Sequence, residues 1–191
     1  MRLGAAASVV LFASAASAQN LAVEGNCRDG LPHGAYELKG AGGQVRAVGA
    51  FSKGRRTGSF LFWSTSGVRV AQLPYDDDAL SGTLALWYAL PGRGGEPVPR
   101  LEAVYAQGRL AGLKRSWYPD GRLRAEFRYD RGALVSARAF TESGKAMADA
   151  DAWAMAERDL GYDDKFVASL DATIRANLPR CEPATDRLEK G

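Results

Sequence analysis

The sequence predicts a mainly β fold, an antiparallel meander of β-hairpin repeats followed by a C-terminal α-helical segment. Three observations carry this. Glycine and aromatic side chains recur on a beat of twenty-four residues, apolar and charged residues alternate with period two within each beat, and the period becomes helical after Gly144. At 191 residues, with 46% hydrophobic content, the chain is long enough for one domain with its own core.

Residues 1–18 read as a secretory signal. Arg2 supplies the positive end, an apolar run follows, and Ala16-Ser17-Ala18 is a small-x-small cleavage site before Gln19. The run is too short to span a bilayer, and no other stretch approaches the roughly 20 apolar residues such a helix needs. The mature protein is therefore expected in the periplasm or outside the cell. Residues 19–33 read as an N-terminal segment preceding the repeats.

Residues 34–145 form the predicted repeat region. Units start at Gly34, Gly58, Gly82 and Gly112, spaced by 24, 24 and 30, the longer unit carrying an insertion between Pro91 and Pro97. An aromatic residue falls at the same place in each unit: Phe51, Tyr75, Tyr105 and Tyr129. Three positions later come Gly54, Asp78, Gly108 and Gly132, and a further column holds Gly43, Gly67 and Gly121. Turn dipeptides such as Ser66-Gly67 and Asp120-Gly121 separate two short alternating runs, the signature of a hairpin. In the second run of each unit the apolar series, for example Leu123, Ala125, Phe127 and Tyr129, predicts one buried face. The intervening Arg46, Arg100, Glu102, Arg124 and Glu126 are expected in solvated cross-strand pairs.

Residues 146–179 read as two helices. Ala150, Trp153, Ala156 and Leu160 share one face of the first, which Gly161 is placed to end. Asp163 is positioned to cap a second with the stripe Phe166, Leu170, Ile174 and Leu178, stopped at Pro179. Residues 180–191 form a polar tail, expected to be disordered beyond Cys181. In an exported protein the two cysteines, Cys27 and Cys181, are expected to form one disulfide joining the two ends of the chain.

Composition narrows the function. Twenty-five basic against 22 acidic residues leave a formal charge of +3, too small for a concentrated nucleic-acid-binding face and too weak for firm adhesion to anionic lipid. One histidine and two cysteines exclude multi-histidine and cysteine-rich metal sites. His33, in a Pro-His-Gly context, is expected as an exposed turn residue. Asp76-Asp77-Asp78 reads as a solvated turn, lacking the ligand spacing of a calcium loop. The glycine-rich stretches at 40–43 and 92–95 have no following Lys-Ser/Thr for a phosphate cradle. The expectation is a chain with no catalytic, cofactor or metal site and no enzymatic activity.

What remains is a repeated aromatic set. Phe60, Trp63, Trp87, Tyr88, Trp117 and Tyr118 form a candidate binding surface for a protein partner, because binding energy concentrates on exposed rings. An envelope hydrolase, or a structural envelope protein that only assembles, are the alternatives.

The run from Gly112 through Trp117 and Asp120-Gly121 to Tyr129-Asp130-Arg131-Gly132 resembles MORN repeats, in particular those of the bacterial YwqK-like, antitoxin-annotated family. The resemblance spans about residues 30 to 145. It implies one elongated sheet of successive hairpins, and, from MORN proteins more widely, a possible contact with membrane surfaces. The export signal argues against a cytoplasmic antitoxin role.

Overall fold

The computed structural model describes residues 21–92 and 95–182. The predicted signal segment and the tail beyond Glu182 lie outside the described residues. Eleven strands run in chain order: β1 (Ala22–Arg28), β2 (Leu31–Lys39), β3 (Val45–Ser52), β4 (Arg55–Trp63), β5 (Arg69–Asp76), β6 (Ala79–Leu80), β7 (Gly82–Pro91), β8 (Pro97–Ala106), β9 (Arg109–Trp117), β10 (Leu123–Asp130) and β11 (Ala133–Ala139). They form one antiparallel sheet in sequence order, with β6 pairing only β5. The meander of hairpins predicted from the period is what the chain builds. It begins earlier than the repeat reading placed it, because β1 and the start of β2 already belong to the sheet. His33 accordingly sits half-buried in β2 and not in an exposed turn, its Nδ1 accepting from the backbone N–H of Lys53 at 3.3 Å.

The period is the hairpin. Gly34 pairs with Phe51, Gly58 with Tyr75, Gly82 with Tyr105 and Gly112 with Tyr129, so the unit-start glycine always faces the column aromatic across the ladder. All four glycines take a positive φ, from 67° to 133°, a backbone conformation that other residues rarely adopt. The four rings occupy equivalent places in successive hairpins, and Phe51, Tyr75 and Tyr129 are buried.

The connecting turns explain another column. Lys53-Gly54, Asp77-Asp78, Gln107-Gly108 and Arg131-Gly132 all have positive φ at both residues, the two-residue hairpin turn whose twist matches the strands. Asp78, at φ 70°, is the one non-glycine in the second place, a position aspartate tolerates better than most residues. Each of these turns is stitched to the preceding hairpin. The N–H of Gly54 donates to the Pro32 carbonyl at 2.8 Å, Asp78 to Arg56 at 3.1 Å, Gly108 to Leu80 at 2.8 Å and Gly132 to Leu110 at 2.7 Å.

The inward face of the sheet is apolar. Around β2–β5, Phe60 stands edge-on to Phe51 and Tyr75, with ring centroids 5.5 and 5.6 Å away, and Tyr36 closes the group. Burial pushes the Tyr36 hydroxyl up to about 12. Gly49 lies across from Tyr36, and a Cβ there would stand 2.5 Å from the Phe60 ring, so the closeness of this packing requires glycine.

One helix covers this face. The two predicted helices are a single element, α1 (Asp149–Ala176), that runs through Gly161 without interruption. Gly161 has none of the positive φ that ends a helix, and Asp163 lies mid-helix instead of capping one. The length has a geometric reason. Twenty-eight residues rise about 42 Å, and ten strands set side by side span about 43 Å. The helix crosses the strands from one edge to the other. Ala152, Met155 and Ala156 pack with Ala137 and Ala139 of β11, whereas Ile174 joins the cluster of Tyr36, Phe60 and Leu73. Ala152 and Met155 thus take the inward places expected for Ala150 and Trp153, both of which are exposed. Of the second stripe, Phe166 and Leu170 are half-buried, Ile174 is buried and Leu178 is exposed.

After α1 the chain returns to the first strand. Tyr36 Oη donates to the Asn177 carbonyl at 2.9 Å, Pro179 packs on Gly25, and Cys181 forms a disulfide with Cys27. A Cβ on Gly161 would meet no atom within 4 Å. Gly161→Ala is therefore expected to raise stability by about 0.5–1 kcal/mol, since glycine in a helix interior is worth that much less than alanine. A denaturation midpoint equal to or below the parent's would show that this turn is not helical in solution.

Candidate functional site

The sequence-predicted aromatic set does not form one surface. Phe60 is fully buried in the core and is removed from it. The other five are half-buried and divide into three groups at the strand ends. Trp63 and Trp87 alternate with the buried Phe62 and Leu86, which puts them on the sheet face away from α1. Trp63 pairs with Arg69, whose guanidinium lies 4.2 Å from the centre of the Trp87 ring. Tyr118 donates to the Phe140 carbonyl at 2.8 Å and ties two neighbouring hairpins together. Tyr88 donates to the Trp117 carbonyl at 2.8 Å, and these two residues border a cleft beneath α1.

This face away from α1 is the open side of the molecule. Its central row runs through paired positions Glu37, Val48, Leu61, Gln72 and Ala85 to an alternating end of Glu102, Arg115, Glu126 and Arg138. Glu126 accepts from Arg138 at 2.6 Å and from Arg115 at 3.0 Å. Hydrogen bonds from Arg138 and then Arg115 hold its carboxyl below the ordinary glutamate range. Here the expected cross-strand pairing of Arg with Glu is realised.

Arg100 and Arg124 depart from that expectation. The register slips between Leu123 and Ala125 and between Trp87 and its partners on β8, so each arginine is the extra residue of a bulge. A bulge turns its side chain out of the strict alternation. Both arginines reach carboxylates of α1 instead of solvent. Arg124 grips Asp159 with both terminal nitrogens and touches Ser116 Oγ at 3.4 Å. Its guanidinium is held protonated above its ordinary range chiefly by that carboxylate. Arg100 stands 3.5 Å from Asp163 Oδ1 and over the rings of Phe166 and Tyr162. Lys114 of β9, only 3% exposed at its side chain, has Nζ 2.9 Å from Asp163 Oδ2. That approach is a charge contact at an angle unsuited to a hydrogen bond, so Nζ, like Arg100 Nε, is buried without a hydrogen-bond partner.

A third link completes the series. Arg56 of β4 donates to Asp171 at 2.6 Å and to Asp78 at 2.8 Å, and Tyr75 Oη also donates to Asp171. Burial and then the Asp171 carboxylate drive the Tyr75 hydroxyl far above its usual range, so it acts as a fixed donor. Asp159, Asp163 and Asp171 thus line the sheet-facing side of α1 at four- and eight-residue spacing, one or two turns of helix apart. Sequence reading named none of the three as an ion-pair residue, although their common helical spacing was available as a signal. The Asp76–Asp78 run is partly used in the same way, with Asp77 paired to Arg55 and Asp78 to Arg56.

Between α1 and the strand ends of β7–β10 these groups leave a cleft of about 310 Å³. The sheet contributes Tyr88, Arg100, Ser116 and Arg124, and the helix contributes Asp159, Tyr162 and Asp163. It presents fixed cations, fixed carboxylates and phenol rings, with Leu101 as part of its floor. No group of three or more potential metal-ligating side chains occurs among the described residues. The chain matches no protein-family model and no curated protein.

Proposed function

We propose that the protein is an exported, non-enzymatic binding or scaffold module of the cell envelope, of the MORN-repeat, YwqK-like kind, that engages a protein partner through its open sheet face. One observation carries the reading. The helix is committed to one face of the eleven-strand sheet, and the opposite face is left without a covering element of this chain among the described residues. A surface that long and regular, with Trp63 and Trp87 around Arg69 and an alternating charge row across β8–β11, suits an extended protein contact. The disulfide supports export, since such bonds persist in oxidising compartments. His33 is engaged with the Lys53 backbone, which supports a structural role for the lone imidazole.

A photoreactive residue placed at Ser59 or Glu102, both exposed on the open face, is expected to give a discrete cross-linked species in intact cells. The same probe at Glu157, exposed on α1, is expected to give none. The Trp63→Ala/Trp87→Ala double variant, checked for folding by circular dichroism, is expected to lose the adduct. Absence of any adduct from the open face, or equal adducts from the helix, would overturn the reading.

A further inference from the structure

We propose that the sheet continues from one copy of this chain into the next, with β1 of one molecule adding alongside β11 of another. The contact is head to tail and leaves the open face free, so it is independent of any partner bound there.

The repeat supplies the first argument. Each hairpin after the first docks on the one before it through a backbone N–H of its turn: Gly54 donates to Pro32, Asp78 to Arg56, Gly108 to Leu80 and Gly132 to Leu110. The acceptor always lies two residues beyond the second turn residue of its own hairpin. The first hairpin turns at Asp29-Gly30 with the same positive φ at both residues, so it has the donor, Gly30, and no earlier hairpin to dock on. The last has the acceptor position, Leu134, two residues beyond Gly132, and no later hairpin to fill it. Among the described residues neither group takes part in such a bond. The two ends of the array are the two halves of one repeat contact.

Charge gives the same pairing. The open-face row begins on β1 with Glu24, directly opposite Glu37, and ends on β11 with Arg138, whose side chain is 70% exposed. Like charges opposite one another are unfavourable, and Lys39 alone bridges the two glutamates. Glu24 of a second copy, set beside Arg138, extends the alternation of Glu102, Arg115, Glu126 and Arg138 by one place. A pair of β11 edges would instead bring two Arg138 side chains to one seam, and a pair of β1 edges two Glu24, so unlike ends are favoured.

Both contacts fit one register. Glu126 and Tyr129 of β10 pair with Arg138 and Leu134, as Glu102 and Tyr105 of β8 pair with Arg115 and Leu110. Arg138 and Leu134 thus stand where Arg115 and Leu110 stand to receive the next hairpin. On the incoming side Glu24 and Gly30 are six residues apart, as are Glu126 and Gly132. The edges are open to such addition. The segment after α1 lies on the inward side of β1, where Pro179 meets Gly25 opposite the buried Tyr36. On β11 the carbonyl of Ala139 is taken by the Met147 N–H at 2.9 Å, which leaves residues 133–138 for the added strand. That stretch has no proline or lysine to blunt it, and Val135 is 54% exposed. A contact between two different edges does not close on itself as a dimer, so copies add in file.

The test is sedimentation velocity of the oxidised protein over a range of concentrations at low salt, where assembly that grows with concentration is expected. Glu24→Arg and Arg138→Glu are each expected to raise the concentration of half-assembly about five-fold or more. An equimolar mixture of the two variants is expected to restore it, because each then offers the charge the other lacks. Circular dichroism checks the fold of both. A photoreactive residue at Val135 is expected to cross-link to β1 or its turn in a second copy, and one at Glu157 to give no adduct. A monomer at every concentration, adducts from Val135 that map elsewhere, or a mixture no more associated than either variant alone would overturn the proposal.

Discussion

Cys181→Ser is expected to lower the thermal unfolding midpoint under non-reducing conditions more than any substitution of a surface residue. The bridge to Cys27 spans 154 positions, and closing a loop of that length stabilises by about 5 kcal/mol in the chain-entropy account. For a chain of this size that corresponds to about 10–20 °C. The bond closes the seam between the returning segment after α1 and the edge strand β1. There Pro179 on Gly25 and the Tyr36–Asn177 hydrogen bond are the other contacts. Dithiothreitol should bring the parent down to the variant and leave the variant unchanged. Equal midpoints for parent and variant without reductant would show that no staple forms.

The second large effect is expected at Asp163. Its carboxylate is the counter-charge of Lys114, a lysine 3% exposed at its side chain and held under α1. Asp163→Ala leaves that ammonium buried and unpaired, and removing one partner of a buried pair costs about 3–5 kcal/mol. Chemical denaturation should read this as a fall in midpoint at unchanged slope. The double variant Asp163→Leu/Lys114→Met removes both charges and should recover most of the loss, because the desolvation of each ion disappears with it. A single variant as stable as the parent would mean that Lys114 reaches water, and that the helix does not seal this part of the sheet.

The contrast between these two sites shows how far one-dimensional reading reaches here. The disulfide was legible because two cysteines in an exported chain allow one internal pairing. The Asp163–Lys114 pair was not legible. Asp163 sits where a helix cap was expected, and Lys114 lies in a strand whose neighbours gave no sign that its position faced inward. Only the placement of α1 across β9 turns those two residues toward each other. Arg100 and Arg124 make the same point. Strict alternation assigns them to the solvent side, and a one-residue bulge reverses that assignment.

The aromatic set divides along the same line. The column of Phe51, Tyr75, Tyr105 and Tyr129 was readable, since its partner across each hairpin is a glycine at constant spacing. Phe60 was misplaced on a surface because a ring and its burial cannot be told apart from composition alone. Its place is set by Gly49 on the neighbouring strand, whose missing side chain opens the space it fills. Gly161 misled for a related reason. A glycine after an apolar stripe is a common helix stop, but here the sheet to be covered is as wide as the uninterrupted helix is long.

Local chemistry, then, was enough to establish the hairpin beat, its turns and the inward face, because turn dihedrals and strand alternation are decided by residues close together in the chain. The tertiary structure alone decided the single helix, the carboxylates set along it and the cleft they border. Those depend on which side chains meet across 35 residues and more, and long-range contact leaves no period in a sequence.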